Sequence, residues 1–591
     1  MARNRYDVDE SLEAPFDITH FKRSFKYVKK HLKRMAFVLF LTMISIVLSL
    51  MTPKISAYML DDCIPNKKVK LLVILGICLM VFTIINILFT KVRSRIMAKV
   101  SQEIVYDIRT DVFEHLQRLP FSYYDDRPQG KILVRVVEYV NSVSNMLSNG
   151  IISMITQVFS LIFIVIFMFT ANVTMSLVII LGLPVLIVVF FTLKPAQRRA
   201  WQQSSNKNSN LNAYLQESIN GMRVTQIFTR EDENLEIFSK LSTMRCRAWK
   251  RAVLLSHLTW FFVDNIGQFF TSALYVVGLL LVAPTSSVGV GLLMEMANYS
   301  CRFWQPINAL ATLYADILNV VAYLERIFQT LDEPVVIGNA PDAVELPEIK
   351  GAVEFKNVVF GYEPGKIVLN NVNFTVEPGQ SIALVGPTGA GKSTVVNLIS
   401  RFYDVNSGQV LIDGYDVSKV TLHSLRSQMG IMLQDSFIFS GTIADNVRYG
   451  RLDATMEEIA AACKVVHADE FINEMSEKFY TEVKERGGRL SQGQKQLLSF
   501  ARTIISDPKI LILDEATSAI DTKTEQYVQE GINHLLKGRT SFIIAHRLST
   551  IKSCDKIMYI ANQNIMECGS HEELMAKKGE YYKLYTSQLS E

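Results

Sequence analysis

Gly386, Gly391, Lys392 and Ser393 fall at the spacing Gly-x4-Gly-Lys-Ser within LVGPTGAGKSTVVNLI. Glycines so placed let backbone N–H groups curl round a chain of phosphates. The lysine reaches the β and γ oxygens of a nucleotide, and the serine hydroxyl ligates Mg2+. A helix opening at this point adds the positive end of its dipole. Farther on, KILILDEATSAID sets two acids side by side, Asp514 and Glu515. They emerge at the carboxyl end of an apolar run, where α/β sheets bind ligands. Asp514 is the carboxylate on the Mg2+ side, and Glu515 is placed to polarise an attacking water. His546, in SFIIAHRLS, ends another such run and draws its weight from that position alone. A glycine-rich turn and two solvated carboxylates are the bland alternative; their occurrence in one region argues against it.

Strands and helices must hold these groups. Residues 381–385 and 510–513 are continuous apolar runs of strand length, the pattern of strands buried on both faces. RLSQGQ, residues 489–494, holds no acid and no metal ligand set. It nevertheless opens a helix: Leu497, Leu498, Ala501, Ile504 and Ile505 keep helical period, and Asp507-Pro508 stops it. Ser491 and Gly493 therefore stand at a helix N-terminus, where anions are favoured.

The rest of the 591 residues is of another kind. A net charge of +4 gives no reason to expect nucleic acid, and seven scattered cysteines without CxxC exclude a zinc ribbon or a disulfide framework. The opening MARNRYDVDESLEAP is too polar and acidic for a cleavable signal peptide. Before about residue 315 the chain carries long uncharged runs. Residues 71–90 and 151–170 are long enough to cross ~30 Å of hydrocarbon. Residues 173–193, with Pro184 inside, and 35–52, running on past Pro53, add two spans. Residues 255–283 and 288–312 add two with polar residues in them, for six in all. Lys91, Arg93, Arg95 and Lys99 follow the second span, and Lys194, Arg198 and Arg199 the fourth. The positive-inside rule puts those long loops and both termini in the cytoplasm, against the three lysines Lys67, Lys68 and Lys70. The loops read as helical extensions broken at Pro120, Pro128, Gly130 and Gly221. Before the first span, Ile18, Phe21, Phe25 and Val28 share a helical face opposite Lys22, Arg23, Lys26 and Lys29, the pattern of a helix on the membrane surface.

Two spans carry polar stripes. Asp264, Gln268 and Thr271 share one face of the fifth; Glu295, Asn298, Arg302 and Gln305 share one face of the sixth. Ionisable groups at membrane depth are costly and face protein or water. The stripes either line a cavity that takes amphipathic, charged substrates, or lock the two spans together through an Asp264–Arg302 pair.

Taken together, residues 350–591 resemble the nucleotide-binding domain of an ATP-binding cassette (ABC) transporter, and the six spans resemble the membrane half of a bacterial multidrug or lipid exporter of that superfamily. The fold so implied is an α-helical transmembrane domain plus an α/β P-loop NTPase domain: residues 1–34 as tail and elbow helix, 35–330 as membrane domain, 331–349 as linker and 350–591 as ATPase. The resemblance extends the phosphate-binding set to Thr388, Gly389, Ala390 and Thr394. It gives Tyr362 the adenine, Gln434 the sensing of Mg2+ and the attacking water, and Asp521 communication between two sites. TEVKERG, 481–487, resembles the exporter-specific loop, and the tips near Gly130 and Gly221 resemble coupling helices. LSQGQ resembles the signature, usually LSGGQ; it implies that Ser491, Gly493 and Gln494 complete the ATP site of a second chain. The resemblance implies ATP and Mg2+ as cofactors, and as partners a second half-transporter, membrane lipids and an amphipathic substrate. Gln492, at a position usually glycine, tilts the expectation from a homodimer to a heterodimer. The implied activity is ATP-driven export; the rival is an ATP-gated channel or a regulatory protein on the same fold.

Overall fold

The computed structural model describes residues 18–125, 127, 129–282, 289–363, 365–432, 437–484, 487–514, 522–544 and 548–590. The chain divides into two compact units, one of Met1–Leu116 and Gln129–Asp332, the other of Gln117–Pro128 and Glu333–Glu591.

The first unit is helical. Helix Leu32–Tyr58 keeps Pro53 inside it and runs into a wider turn at Met59–Cys63. Hydroxyls within its apolar length bond backward, Thr42 to the Val38 carbonyl at 2.7 Å and Ser56 to that of Thr52 at 3.0 Å, so these two hydroxyl hydrogens are paired within the helix. Helix Val69–Arg118 has 50 residues, on the order of 75 Å at 1.5 Å per residue, more than twice a bilayer's apolar thickness. Its character changes along its length. Ile74, Ile77 and Met80 are exposed, as a lipid face must be, whereas Met97, Val100, Ile104, Ile108, Val112 and Leu116 repeat every three or four residues and are buried. Lys68, which runs against the topology rule, is paired with Asp62 at 2.8 Å.

Helix Ile151–Ala171 meets Val173–Ile180 across a single residue, Asn172, whose side chain accepts from the Met175 amide. The fourth span breaks at Leu181 and resumes as Gly182–Asn220. Pro184 explains the break: it has no N–H for the Ile180 carbonyl. At Gly182 a Cβ would lie 2.6 Å from the Trp304 ring, so glycine allows three spans to meet there. Helix Glu231–Val277 returns antiparallel to Gly182–Asn220, with three acids in its first turn matching the dipole. Val290–Leu331 closes the unit. Among the described residues, five helices are long and apolar enough to cross a membrane. The expected sixth span lies in Val290–Leu331, a 42-residue helix outside that five, because Glu295, Asn298 and Arg302 dilute its apolar part.

The elbow helix, Ile18–Lys29, packs through Ser24, Tyr27 and Val28, while Phe25, Lys22 and Lys29 are exposed. Lys26, Lys30 and Arg34, spaced four apart, pair with Asp111 at 3.0 Å, Asp107 at 2.7 Å and Glu103 at 2.6 Å. Part of the basic face is thus turned to protein.

Among the described residues the second unit holds twelve strands: β1 Val353–Phe360, β2 Leu369–Val376, β3 Ser381–Val385, β4 Ser407–Ile412, β5 Tyr415–Asp416, β6 Met429–Met432, β7 Gly441–Thr442, β8 Glu482–Val483, β9 Ile510–Asp514, β10 Thr540–Ile544, β11 Lys556–Ala561 and β12 Asn564–Gly569. Six form a sheet in the order β12-β11-β3-β10-β9-β6, parallel except for β12. Every residue of β3 and of β10 is buried, which is why Ile382–Val385 and Phe542–Ile544 read as apolar runs. A second sheet, β2-β1-β4-β5, is antiparallel. Helix Lys392–Ile399 packs between them through Val395, Val396, Leu398 and Ile399.

Candidate functional site

The register of the six-stranded sheet assembles the site. Ile544 pairs with Leu384 on one side and with Asp514 on the other, so β3, β9 and β10 end at one edge. The phosphate loop leaves β3 there. Gly386 has φ +141 and its Cβ would fall 2.1 Å from the Ile560 carbonyl oxygen; no other residue fits. Gly391, at φ +105, turns the chain into helix Lys392–Ile399, while Thr388 and Gly389 are exposed on the loop's outer side and Ala390 is half-buried. Lys392 Nζ donates to the carbonyls of Gly386 at 2.8 Å and Pro387 at 3.0 Å, which folds the ammonium over the loop. Burial pulls its pKa below the ordinary lysine value, and the Asp514 carboxylate pulls it back up. The cradle of backbone amides, the ammonium and the adjacent helix N-terminus fit a polyphosphate. Ser393 is exposed one residue on, and the hydroxyl and the Asp514 carboxylate are oxygen donors of the kind Mg2+ takes beside nucleotide phosphates.

Tyr362 comes to the same place from after β1. Its hydroxyl lies 3.1 Å from Thr394 Oγ1, on the buried first turn of the loop's helix, and its ring stands edge-on to Tyr403 at 5.0 Å. Tyr403 in turn donates to Asp125 at 3.0 Å, and Phe402 packs on Phe121 at 5.4 Å. The short helix Phe121–Asp125 is therefore one aromatic step from the phosphate loop. The first coupling tip was expected near Gly130. The long helix ends at Arg118, just before the expected break at Pro120; Phe121–Asp125 follows, and Gly130 lies inside helix Gln129–Val134. At the second tip the break does fall at Gly221, followed by Met222–Ile227.

Ser491 caps helix Gln492–Ser506. Its Oγ accepts from the Gln494 amide at 3.2 Å, and Gln494 Oε1 accepts from the Ser491 amide at 2.9 Å. This capping box occupies a lone pair of the hydroxyl and leaves its proton to donate. Gln492 is the first helical residue and exposed, so neither backbone nor packing demands glycine there; Gly493 is buried.

One positioning residue was missed. Arg502 of the same helix donates to the Asn446 carbonyl at 2.9 Å, to Asn446 Oδ1 at 3.0 Å and to the Phe437 carbonyl at 3.1 Å. Its guanidinium lies over Phe439 and Tyr449. It ties the chain just after residues 433–436 to the signature helix. The available signal was a lone arginine among Leu498, Ala501 and Ile505.

Gln434, Glu515, Asp521 and His546 lie outside the described residues, as does the side chain of Asp264. In the membrane unit the stripes separate. Thr271 is buried and shares a hydrogen bond of 2.8 Å with Ser300. Glu295 is buried; Gln268 and Asn298 are exposed, Asn298 bonding its own helix at the Met294 carbonyl. Arg302 Nη1 donates to the Ser49 carbonyl at 2.8 Å and to Ser49 Oγ at 2.6 Å, on the first span.

Residues 35–300 match the model of the ABC transporter transmembrane region, and residues 369–518 that of the ABC transporter. The ABC transporter ATP-binding protein YknV of Bacillus subtilis (strain 168) is 39% identical over 100% of this chain and 98% of its own length. The fatty acid ABC transporter ATP-binding/permease protein of Mycobacterium bovis (strain ATCC BAA-935 / AF2122/97) is 37% identical over 83% of this chain and 78% of its own. Among solved structures, a bacterial Atm1-family ABC exporter with ATP bound superposes with a TM-score of 0.77 at 27% identity, covering 95% of this chain and 99% of that one.

Proposed function

The chain belongs to the ABC transporter family, and from that premise we propose that it is one half of a dimeric exporter for an amphipathic substrate. It binds ATP and couples its hydrolysis to transport across the membrane through which its apolar helices pass. In our reading, the phosphate loop Gly386–Thr394, with Lys392 and Tyr362, holds the nucleotide. Ser491, Gly493 and Gln494 close over the nucleotide of the second chain, and Asp521 communicates between the two sites. Mg2+, when bound, neutralises charge on the β- and γ-phosphates, and Ser393, Asp514 and Gln434 would hold it. Glu515 orients the attacking water, with His546 beside it. Phe121–Asp125 and Met222–Ile227 carry closure of the ATPase parts to the spans with which they are continuous in sequence. The ATPase part and both termini are cytoplasmic, because the basic residues cluster after the second and fourth spans.

The observation that carries this reading is the phosphate loop at one sheet edge with Asp514, one aromatic step from a segment continuous with the membrane helices. The fatty acid named for the Mycobacterium bovis relative supports a lipid-like substrate. Gln492 favours a different second chain, so the chain purified alone should have weak ATPase. The test pairs two variants. Glu515→Gln should keep ATP binding and lose about 10²–10⁴ in hydrolysis, the worth of a general base. Ser491→Cys should cross-link to a cysteine in the phosphate loop of a second chain only with ATP. Cross-linking within single chains alone, or hydrolysis unchanged in Glu515→Gln, refutes the shared site.

A further inference from the structure

We propose that a cavity in the membrane unit, flanked by Arg302 and Arg93, binds the anionic headgroup of an amphipath, a carboxylate or a phosphate monoester. This names the substrate's charge and so rests on the transport reading above. The cavity has a volume of about 640 Å³, and the spans Leu32–Tyr58, Val69–Arg118, Ile151–Ala171 and Val290–Leu331 all contribute to its wall.

Its charge is one-sided. Arg93 and Arg302 line it, and among the described residues no aspartate or glutamate does. Arg302 lies within the membrane and Arg93 at its cytoplasmic edge; two guanidiniums at the two ends of one cavity favour an anion between them and disfavour a cation. Ser49 engages one nitrogen of Arg302. A guanidinium carries N–H donors on all three nitrogens, so most of its donor capacity remains. Arg93 has no hydrogen bond or ion pair among the described residues.

The neutral lining offers further donors. Ser45 donates to Asn86 Oδ1, which occupies an acceptor of that amide. Thr156 Oγ1 is buried with no partner among the described residues, and its hydroxyl lines the same cavity. Ile46, Leu50 and Ile164 supply an apolar wall beside these groups, as the chain of an amphipath requires. The two arginines come from opposite ends. Arg302 sits at the level of Ser49, one turn from Ser45; Ser45 touches Asn86, and Arg93 lies seven residues past Asn86. That puts their backbones on the order of 15 Å apart along the helices, with both side chains reaching inward.

The test uses the full-length chain, with its second chain if one co-purifies, in nanodiscs of phosphatidylcholine. The probes share a twelve-carbon chain: dodecanoate, dodecyl phosphate, dodecanol and dodecyltrimethylammonium. Equilibrium dialysis should show both anions binding at least about tenfold more tightly than the alcohol or the cation, the scale of a charge-assisted hydrogen-bond pair. Arg302→Gln should erase that preference and Arg302→Lys restore part of it. Because Arg302→Gln also removes the bond to Ser49, Arg93→Gln is the second variant; it should weaken the anions alone. Repeating the titration with phosphatidylglycerol in the disc identifies the source of the headgroup. Competition assigns the site to a membrane lipid, and none assigns it to a free amphipath; both keep the anion. Equal binding of all four probes, preference for the cation, or an anion preference that survives both neutral variants overturns the inference. Anion binding without ATP-driven movement of any probe would sink the transport reading and leave the site standing.

Discussion

Replacing Arg502 by methionine keeps an unbranched apolar stem and removes all the donors of the guanidinium. Two acceptors lose their only partner among the described residues, the carbonyls of Asn446 and Phe437. Asn446 Oδ1 still accepts from the Phe439 amide at 2.9 Å, so it is not orphaned. Asn446 is 2% exposed, which denies its carbonyl water. Phe437 is exposed, so water replaces the guanidinium at its carbonyl, and the loss is that of one buried acceptor left unpaired, about 1–3 kcal/mol. A unit of this size moves by roughly 2–4 °C per kcal/mol, so the ATPase transition should fall by about 5 °C in a calorimetric scan of the full chain. Arg502→Lys can return one donor at a time and should recover less than half. The chain released by the substitution leads directly into Gln434, so hydrolysis should drop more than binding of a non-hydrolysable ATP analogue. A shift under about 2 °C would mean that water replaces the guanidinium, and the clamp would be refuted.

Tyr403→Phe removes the bond to Asp125 and keeps the ring against Tyr362; stimulation of ATPase by substrate should fall severalfold while nucleotide affinity stays within about twofold, since a single exposed hydrogen bond is worth about 1 kcal/mol. Asp61 accepts from the amides of Gly291 at 2.6 Å and Leu292 at 2.9 Å, capping Val290–Leu331 from the end of the first span. Asp61→Asn should cost about 1 kcal/mol, read as a lower thermal midpoint of the membrane unit; an unchanged midpoint refutes the cap. Acid should loosen both units. The Arg23 hydrogen bond holds the Asp332 carboxyl below its ordinary 3.8, and the Thr442 hydroxyl and amide do the same for Asp445. Groups depressed in the folded state stabilise it above the unfolded pKa and lose that contribution as pH falls through the folded one. Stability should therefore be flat above about pH 5 and fall below about pH 4; Asp445→Asn should flatten that fall in the ATPase transition, and an identical acid profile contradicts the assignment.

Local pattern was legible where burial is one-sided or complete. β3 and β9 were visible as apolar runs because parallel strands bury both faces, and the signature helix because its apolar period ends at Asp507, whose φ of +44 is a helix stop. The helical extensions were legible for the same reason: period persists from Met97 to Leu116 after the lipid-facing stretch ends. Pairing over long distances was not. The ladder of Lys26, Lys30 and Arg34 on Asp111, Asp107 and Glu103 has a visible spacing of four on both sides, but nothing in either segment names the other. The polar stripe of the sixth span likewise showed one face without showing that Arg302 turns to Ser49. Gly130 is no break whereas Gly221, at φ -88, is one, so a glycine by itself does not mark where a helix ends. Arg502 was passed over because two of its three partners are main-chain carbonyls, which leave no trace in side-chain pattern.

The central claim is that ATP hydrolysis drives substrate against its gradient. Proteoliposomes containing this chain, with its second chain if one co-purifies, and oriented with the ATPase part outside, would be loaded with dodecyl phosphate at equal concentration inside and out and then given ATP and Mg2+. The account predicts accumulation inside above the outer concentration, lost when Glu515→Gln replaces the parent chain. Flux that only equalises an imposed gradient, opened by ATP and unaffected by Glu515→Gln, would contradict it and make the protein a gated channel.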